Sequence, residues 1–366
     1  MVLDRVRARS FRNIKEEEVF FSPGVNLLYG NNAEGKTNLL EAIYYFARGK
    51  SFRGGSDREL CSFGSDFFEI EASFQASGRK QSLFYRYTGK EKIKKRNGAP
   101  CDRAQDMIGH LRAVLFHPEH LLLVKGSPQL RRDFLNIAIS QVNPLYIRYY
   151  TEYKRLLEER NSLLKFIQKG MYVEREEIEV YSLRLASVAA KITKIRQEYV
   201  DFLSPTAEEM MRELSCGKEI LKLSYMSEGC SLSEEEIRKK YEGLLLSDIQ
   251  REAAVGYTLF GPHHDDLSIQ LSHHAAREYA SQGQQRSITL ALKVSEGEVC
   301  RRLSGEYPIF LFDDVMSELD EGRRRFLLSS LKERQIIITA CDERDLSECG
   351  ARIIRTVGGR YEALSE

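Results

Sequence analysis

The 366 residues, 42% hydrophobic and 30% charged, describe an ordinary soluble globular protein with chain enough for two or three compact units. A net charge of +1 gives the whole molecule no field with which to gather an acidic polymer, so any nucleic-acid contact has to come from local patches. No stretch approaches the roughly 20 apolar residues of a membrane span, and the opening MVLDRVRARSFRN lacks the apolar centre of a secretory signal. The seven scattered cysteines form no Cys-x-x-Cys pair, so free thiols, a cytoplasmic location and no membrane partner are expected.

Residues 1–29 read as strands. Val6 and Ala8 alternate with Arg5, Arg7 and Arg9, which puts three arginines on one face, and Val25 to Tyr29 is an apolar run stopping at Gly30, as a buried strand does. Leu39, Leu40, Ile43, Tyr44 and Ala47 then follow helical spacing. Between 66 and 100 the period is two: Phe68, Ile70, Ala72 and Phe74 alternate with Glu69, Glu71, Ser73 and Gln75, and turns at Gly78 and Asn97-Gly98 predict an antiparallel β subdomain. In the middle, Tyr146, Tyr149, Tyr153, Leu156, Arg160, Leu163 and Ile167 form one helical stripe. Ile178, Tyr181, Leu185, Val188, Ile192, Ile195 and Tyr199 form another. A link at Lys169-Gly170 makes them a short antiparallel helical hairpin. Ser233-Glu234-Glu235-Glu236 is a capping box that opens a further helix. After about residue 255 a strand (308–312), a helix (321–332) and a strand (335–339) imply a parallel sheet, so one α/β sheet is assembled from both ends of the chain around a helical insertion.

Gly30-Asn31-Asn32-Ala33-Glu34-Gly35-Lys36-Thr37 matches G-x-x-x-x-G-K-[ST], between a strand and an amphipathic helix. Its glycines let backbone N–H groups turn inward around phosphate oxygens at the positive end of that helix. Lys36 is placed for the β- and γ-phosphates and Thr37 for Mg²⁺. Ile309-Phe310-Leu311-Phe312-Asp313-Asp314 is a buried strand ending in two acids, where α/β sheets hold ligands. Asp313 is expected to hold Mg²⁺ through water, and Asp314, on the opposite side of the strand, to polarise the attacking water. In Tyr279-Ala280-Ser281-Gln282-Gly283-Gln284-Gln285-Arg286-Ser287 a serine, a glycine and a glutamine precede an apolar-periodic helix, a third anion site at a helix start.

Phosphate loop, Ser281-Gln282-Gly283-Gln284, Asp313-Asp314 and then Ser317-Glu318-Leu319-Asp320 follow the layout of ABC-type ATPases, and Ser281 to Gln284 resembles a variant of their signature motif. The resemblance implies two ATP molecules sandwiched head-to-tail in a homodimer. Ser281, Gly283 and Gln284 of one copy would then bind the γ-phosphate held by the other, with Asp320 helping to form the interface. The interval from Gly30 to Ser281 is longer than in transporter ATPases and lacks the long coiled coil of SMC proteins. Across nearly its whole length the chain resembles the RecF family of bacterial recombination mediators. The matching segments are Ser10-Phe11-Arg12-Asn13, GNNAEGKTNLLEAIYY, Lys50-Ser51-Phe52-Arg53, Leu115-Phe116-His117-Pro118-Glu119, KGSPQLRRDFLN, Gly256-Tyr257-Thr258 with Gly261-Pro262-His263-His264-Asp265-Asp266, YASQGQQRS and LFDDVMSELD.

That resemblance implies an ABC-type P-loop ATPase head with an antiparallel β subdomain and an inserted helical lobe bearing a short helical-hairpin arm. Residues 1–115 and 256–366 would build the head and 116–255 the lobe. It further implies ATP-dependent dimerisation on gapped, single-stranded or duplex DNA, weak DNA-stimulated hydrolysis with nucleotide acting mainly as a switch, and cooperation with RecR and RecO. A transporter-type ATPase subunit and a structural SMC-type head are the alternatives. Four positions depart from the family pattern: Asn136 stands for an aspartate, His264 for an arginine, Thr339-Ala340-Cys341-Asp342 has no switch histidine, and no Q-loop glutamine is evident. Candidate DNA contacts are Arg5, Arg7 and Arg9; Lys90, Lys92, Lys94, Lys95 and Arg96; Arg131-Arg132; and Arg323-Arg324-Arg325, for the last of which a structural or interface role is favoured. The adjacent pairs His263-His264 and His273-His274 have the wrong spacing for a zinc site.

Overall fold

The alternating segments near the N terminus close into a six-stranded antiparallel sheet. β1 (Val2–Phe11) and β2 (Ile14–Phe20) form a hairpin, β3 (Val25–Tyr29) leads into α1 (Lys36–Arg48), and the chain returns as β4 (Phe68–Ala76), β5 (Arg79–Tyr87), β6 (Lys92–Arg96) and β7 (Ala99–Pro100). The sheet order is β2-β1-β4-β5-β6-β7. One face buries Val6, Ala8, Ile70, Ala72, Phe74, Leu83 and Tyr85. Residues opposed across antiparallel strands share a face, so Arg5, Arg7 and Arg9 meet the glutamates of both neighbouring strands on the other side. The computed structural model describes residues 1–316, 319–332, 334–341 and 350–364, without the side chains of residues 104 and 105; Ser317, Glu318, Asp342 and Cys349 lie outside the described residues.

The chain next contributes β8 (Ala113–Phe116) and then a mainly helical region: α2 (Leu122–Lys125), α3 (Pro128–Val142), α4 (Pro144–Gln168), α5 (Arg175–Leu214), β9 (Leu221–Met226), α6 (Glu234–Ser247), α7 (Ile249–Val255), β10 (Asp266–Leu271), β11 (His274–Ala275) and α8 (Ala276–Tyr279). Helices α4 and α5 run antiparallel, as the two stripes predict. Arg160 Nε donates to Ser182 Oγ at 2.9 Å. The Lys191 ammonium lies 5.0 Å from the Tyr149 ring centre, and Arg196 Nε donates to the Tyr146 hydroxyl at 2.9 Å. Helix α5 outruns its apolar stripe, continuing through Pro205 to Leu214. The predicted capping box opens α6: Ser233 Oγ accepts from the Glu236 N–H and Glu236 Oε2 from the Ser233 N–H at 2.9 Å.

Two fully buried arginines sit at the centre of this region. Arg160 binds Thr258 Oγ1 at 2.8 Å, the Leu245 carbonyl at 3.0 Å and Glu252 at 2.5 Å. Arg196 binds the Pro262 carbonyl at 2.7 Å and Asn136 Oδ1 at 2.8 Å. Asn136 also accepts from the Tyr146 hydroxyl at 2.5 Å, so an amide here keeps the acceptor that an aspartate would supply. Buried guanidiniums need such full sets of acceptors, since an unmatched one costs several kcal/mol.

The last segments are α9 (Gln282–Ser304), β12 (Ile309–Asp313), α10 (Glu321–Ser330), β13 (Ile336–Ala340), β14 (Arg352–Val357) and β15 (Arg360–Ala363). They complete a sheet of order β15-β14-β3-β13-β12-β8, parallel throughout except for β15. Ile309 to Phe312, Ile336 to Ile338, and Leu27 and Leu28 are buried on both faces, which is why each reads as a continuous apolar run. The register sets Asp313 beside Thr339, and Thr339 beside Leu28, so the carboxyl ends of β3, β12 and β13 align.

The chain divides into two compact units, Met1–Leu121 with Glu213–Gly217 and Ser281–Glu366, and Leu122–Arg212 with Lys218–Ala280. Residues 256–280, grouped by sequence with the C-terminal part, fall in the second because β10 pairs with β9 from Asp266↔Met226 to Leu271↔Leu221.

Candidate nucleotide site

The aligned carboxyl ends of β3, β12 and β13 open into a cleft of about 360 Å³ lined by Asn13, residues 31–38, Arg53, Asp314 and Thr339. Gly30 leaves β3 at φ 156°, and a Cβ there would overlap the Thr356 carbonyl group. Gly35, at φ 116°, starts α1; a Cβ on it would lie 2.9 Å from Asn13 Oδ1 and 3.1 Å from the Tyr361 hydroxyl. Both positions therefore favour glycine, for a positive φ that other residues rarely adopt and, at Gly30, for want of space against the backbone. Ala33 takes φ 68° without that freedom. The loop is held from outside: the Gly359 N–H donates to the Glu34 carbonyl at 2.7 Å, the Gly358 N–H to the Glu34 carboxylate, and the Tyr361 hydroxyl to the Gly35 carbonyl at 2.8 Å.

Lys36 is buried, and its ammonium donates to the Gly30 carbonyl and, at 2.9 Å, to that of Asn31. The ammonium is thus already inside the loop, with the Cys341 thiol 3.9 Å away. Thr37 Oγ1 donates to Asp313 Oδ1 at 2.8 Å, and Thr339 Oγ1 donates to the same oxygen at 3.0 Å. Burial pushes the Asp313 carboxyl above the ordinary carboxylate range against these two hydroxyl donors and the nearby Arg53 charge. A hydroxyl and a buried carboxylate side by side are the hard oxygen donors that Mg²⁺ takes, with water and phosphate oxygens filling its remaining positions. Among the described residues no three His, Cys, Asp or Glu side chains converge on a metal position, so a cation here would depend on its ligand's phosphates.

Asp314 departs from the expectation of strand alternation. It leaves β12 with φ 53°, donates its N–H to Thr339 Oγ1 at 2.8 Å and lines the same cleft as Thr37 instead of turning to the far side. Alternation holds only while the backbone stays extended, and β12 ends at Asp313.

Ser281 is the N-cap of α9, its Oγ accepting from the Gln284 N–H at 3.2 Å while Gln284 Oε1 accepts from the Ser281 N–H at 2.8 Å. Arg323 ties this helix start to α10: its Nη2 donates to the Gly283 carbonyl at 2.9 Å, its Nε to Ser287 Oγ at 2.9 Å, and it pairs with Asp320. Asp320 in turn caps α10 by accepting from the Arg323 N–H at 2.9 Å.

A family model described as the RecF/RecN/SMC N terminal domain matches residues 2–360. DNA replication and repair protein RecF of Desulfitobacterium hafniense is 36% identical over 361 residues, covering 98% of this chain and 99% of that protein. Its counterpart from Halalkalibacterium halodurans is 40% identical over 339 residues, 91% of each. The chain belongs to the RecF family. A solved structure described as the recombination mediator protein RecF with ATP in the RecFOR pathway superposes with a TM-score of 0.93 at 33% identity, covering all of this chain and 98% of that one. The ABC-type, SMC-like head with its antiparallel β subdomain is thus the fold of this RecF-family chain.

The basic clusters differ in what surrounds them. Arg5 pairs with Glu18 at 2.6 Å and Glu71 at 3.1 Å, Arg7 with Glu16 at 2.6 Å, and Arg9 with Glu16 at 3.7 Å and Glu69 at 4.0 Å, so the arginine face is neutralised within its own sheet. Arg131 is buried against Asp266 at 2.7 Å, and Arg132 donates to the Asp265 carbonyl at 2.8 Å. On β6, Lys92 meets Asp57 at 2.6 Å, but Lys94 reaches the Asp102 carbonyl, Lys95 lies 5.7 Å from the Phe84 ring centre and Arg96 meets His110 at 2.6 Å. Three of the four β6 cations thus face groups that do not cancel their charge.

Sequence reasoning assigned no site role to Asn13, Asn38, Arg53 or Thr339, yet all four line the cleft. The signals were present as the segments Ser10 to Asn13 and Lys50 to Arg53, and as a threonine four residues into an apolar strand.

Proposed function

We propose that this chain is an ATP- and Mg²⁺-binding DNA repair and replication protein that two copies close around nucleotide, head to tail, to act on DNA as a clamp or mediator. The observation that carries the reading is the bond between Thr37 and Asp313, which joins residues from opposite ends of the chain at the mouth of a glycine-turned anion loop. The loop N–H groups and Lys36 would bind the β- and γ-phosphates. Mg²⁺, when bound by Thr37 and by Asp313 through water, supplies charge neutralisation on those phosphates. Asp314 would orient the attacking water, and the exposed N-terminus of α9, with Ser281, Gly283 and Gln284, would complete the γ-phosphate site of the other copy. The names of its relatives support the repair role, and the RecFOR pathway of the superposed structure supports RecR and RecO as partners. No described helix is long and apolar enough to cross a membrane.

Sedimentation with and without ATP, repeated with gapped, duplex and single-stranded DNA, tests the reading. Lys36→Ala should abolish nucleotide binding, whereas Ser281→Arg should keep nucleotide binding and lose ATP-induced dimers. Dimers of the Ser281→Arg protein at wild-type ATP concentrations would refute the head-to-tail arrangement.

A further inference from the structure

Glu41 is fully buried on α1, one turn beyond Thr37, and three side chains from two other segments converge on it. Arg12, from the turn between β1 and β2, grips it with two bonds, Nε to Oε2 at 3.0 Å and Nη2 to Oε1 at 2.9 Å. The Ser51 hydroxyl donates to Oε1 and Arg53 Nη2 to Oε2. Burial alone would push this carboxyl up, but the donors from Arg12, Arg53 and Ser51 outweigh it and hold Glu41 below the ordinary range, so it carries its charge.

The two arginine contacts lead to walls of the cleft. The turn that Arg12 anchors presents Asn13, whose Oδ1 accepts from Asn38 at 2.7 Å and whose Nδ2 donates to the Ala33 carbonyl of the phosphate loop at 3.4 Å. Arg53 also donates to Asn38 and lines the cleft itself. A bidentate guanidinium is sufficient partner for one carboxylate. The Arg53 bond to Glu41 is therefore additional to one the carboxylate already has, and Arg53 can turn to an anion in the cleft without leaving Glu41 buried and unpaired.

We propose that Glu41 is a positioning residue for the nucleotide: it stages Arg53 beside the phosphates and, through Arg12, fixes Asn13 against the phosphate loop. Its charge thereby sets how well the site separates a triphosphate from a diphosphate. The inference rests on the nucleotide reading above.

Glu41→Gln supplies the test. An amide offers one acceptor and turns its NH₂ toward a guanidinium donor, so one of the two arginines loses its place. Dissociation constants for fluorescent ATP and ADP analogues, measured on the same full-length preparations, should show ATP weakened at least tenfold and ADP less than threefold. Arg53→Ala should do the same, and the double variant should lose less than the product of the two single losses, because part of the Glu41 effect runs through Arg53. Equal losses for both nucleotides, or effects of Glu41→Gln and Arg53→Ala that multiply, would overturn the assignment. If Glu41→Gln does not fold, Arg53→Ala, which leaves Glu41 paired with Arg12, must still lower the ATP preference, and an unchanged preference refutes the proposal. Should Lys36→Ala abolish binding while Glu41→Gln leaves the ratio untouched, only the Glu41 role fails. Should wild-type protein bind neither nucleotide, the nucleotide reading fails with it.

Discussion

Gly297 sets two physical effects against each other. It lies inside α9, where alanine is favoured over glycine by about 1 kcal/mol. On helix propensity alone, Gly297→Ala would stabilise the protein. A Cβ at this position, however, would lie 2.8 Å from Phe310 Cε1, 3.3 Å from Cε2 and closer still to Cζ, where carbon atoms rest about 3.5–4.0 Å apart. Phe310 is fully buried on β12, its ring parallel to Phe312 with centres 6.3 Å apart and the Arg334 guanidinium 5.9 Å from its own centre. Ring or helix must move by about 1 Å, a large displacement in a packed core, which puts the overpacking cost at the upper end of the usual range, about 2–3 kcal/mol. With the propensity gain subtracted, a net destabilisation of about 1–2 kcal/mol is expected, equivalent to a fall in Tm of several degrees for a unit of this size. Thermal and urea denaturation of Gly297→Ala, Phe310→Leu and the double variant measure it. The two substitutions should couple favourably by at least 1 kcal/mol, because leucine vacates the ring edge that the new methyl strikes. A Tm equal to or above wild type for Gly297→Ala, or strict additivity in the double variant, would refute the reasoning.

Three further outcomes follow from charges that the fold places differently. Asp265, buried and held by the Tyr225 hydroxyl, is raised to about 6 by burial, so the folded state keeps a proton that the unfolded chain loses near 3.8. That favours folding at low pH and is lost as pH rises through about 6, and Asp265→Asn should gain on wild type by about 2 kcal/mol between pH 4 and 7 in urea denaturation. His263 runs the other way. Lowered to about 4 by burial and by His264, it stays neutral in the fold, and its stabilising share is lost as pH falls from 6.5 toward 4, so His263→Gln should gain on wild type over that interval. For DNA, replacing Lys94, Lys95 and Arg96 together by alanine should weaken binding and flatten its salt dependence, whereas Arg7→Ala should change neither, since Arg7 is already matched by Glu16. Equal losses from both variants would sink that assignment.

The elements that sequence located best were those with one dominant cause. A glycine-turned loop between an apolar run and an amphipathic stripe, and four apolar residues ending in Asp313, mark buried parallel strands, and both lie where expected. The capping residue Ser233 also acts as its spacing suggests, because a cap is decided within four residues. What stayed hidden depends on residues brought together from far apart. Thr339 lies in register beside Asp313 only because β13 pairs with β12. Glu41 looks like an exposed helical acid until Arg12 and Arg53 fold onto it. The turn of Asp314 into the cleft follows from one backbone angle past the end of a strand, which no side-chain pattern encodes.

Charge is where pattern misleads most, and the reason is general. A run or stripe of arginines states where cations are along the chain but not which carboxylates the fold sets opposite them. The stripe on β1 is answered on both flanking strands by glutamates, a cross-strand ladder whose exposed pairs are screened by water and add little to stability. Arg131 and Arg323, in short basic runs, hold Asp266 and the start of α9. An electrostatic footprint means something only once these internal partners are set aside, and on β6 Lys94, Lys95 and Arg96 then face carbonyl, ring and imidazole groups in place of carboxylates. The same accounting distinguishes Glu41 from an ordinary buried ion pair: two guanidiniums on one carboxylate leave the site a cation it can redirect, whereas a one-to-one pair such as Arg160 with Glu252 can release neither member without leaving the other buried and unmatched.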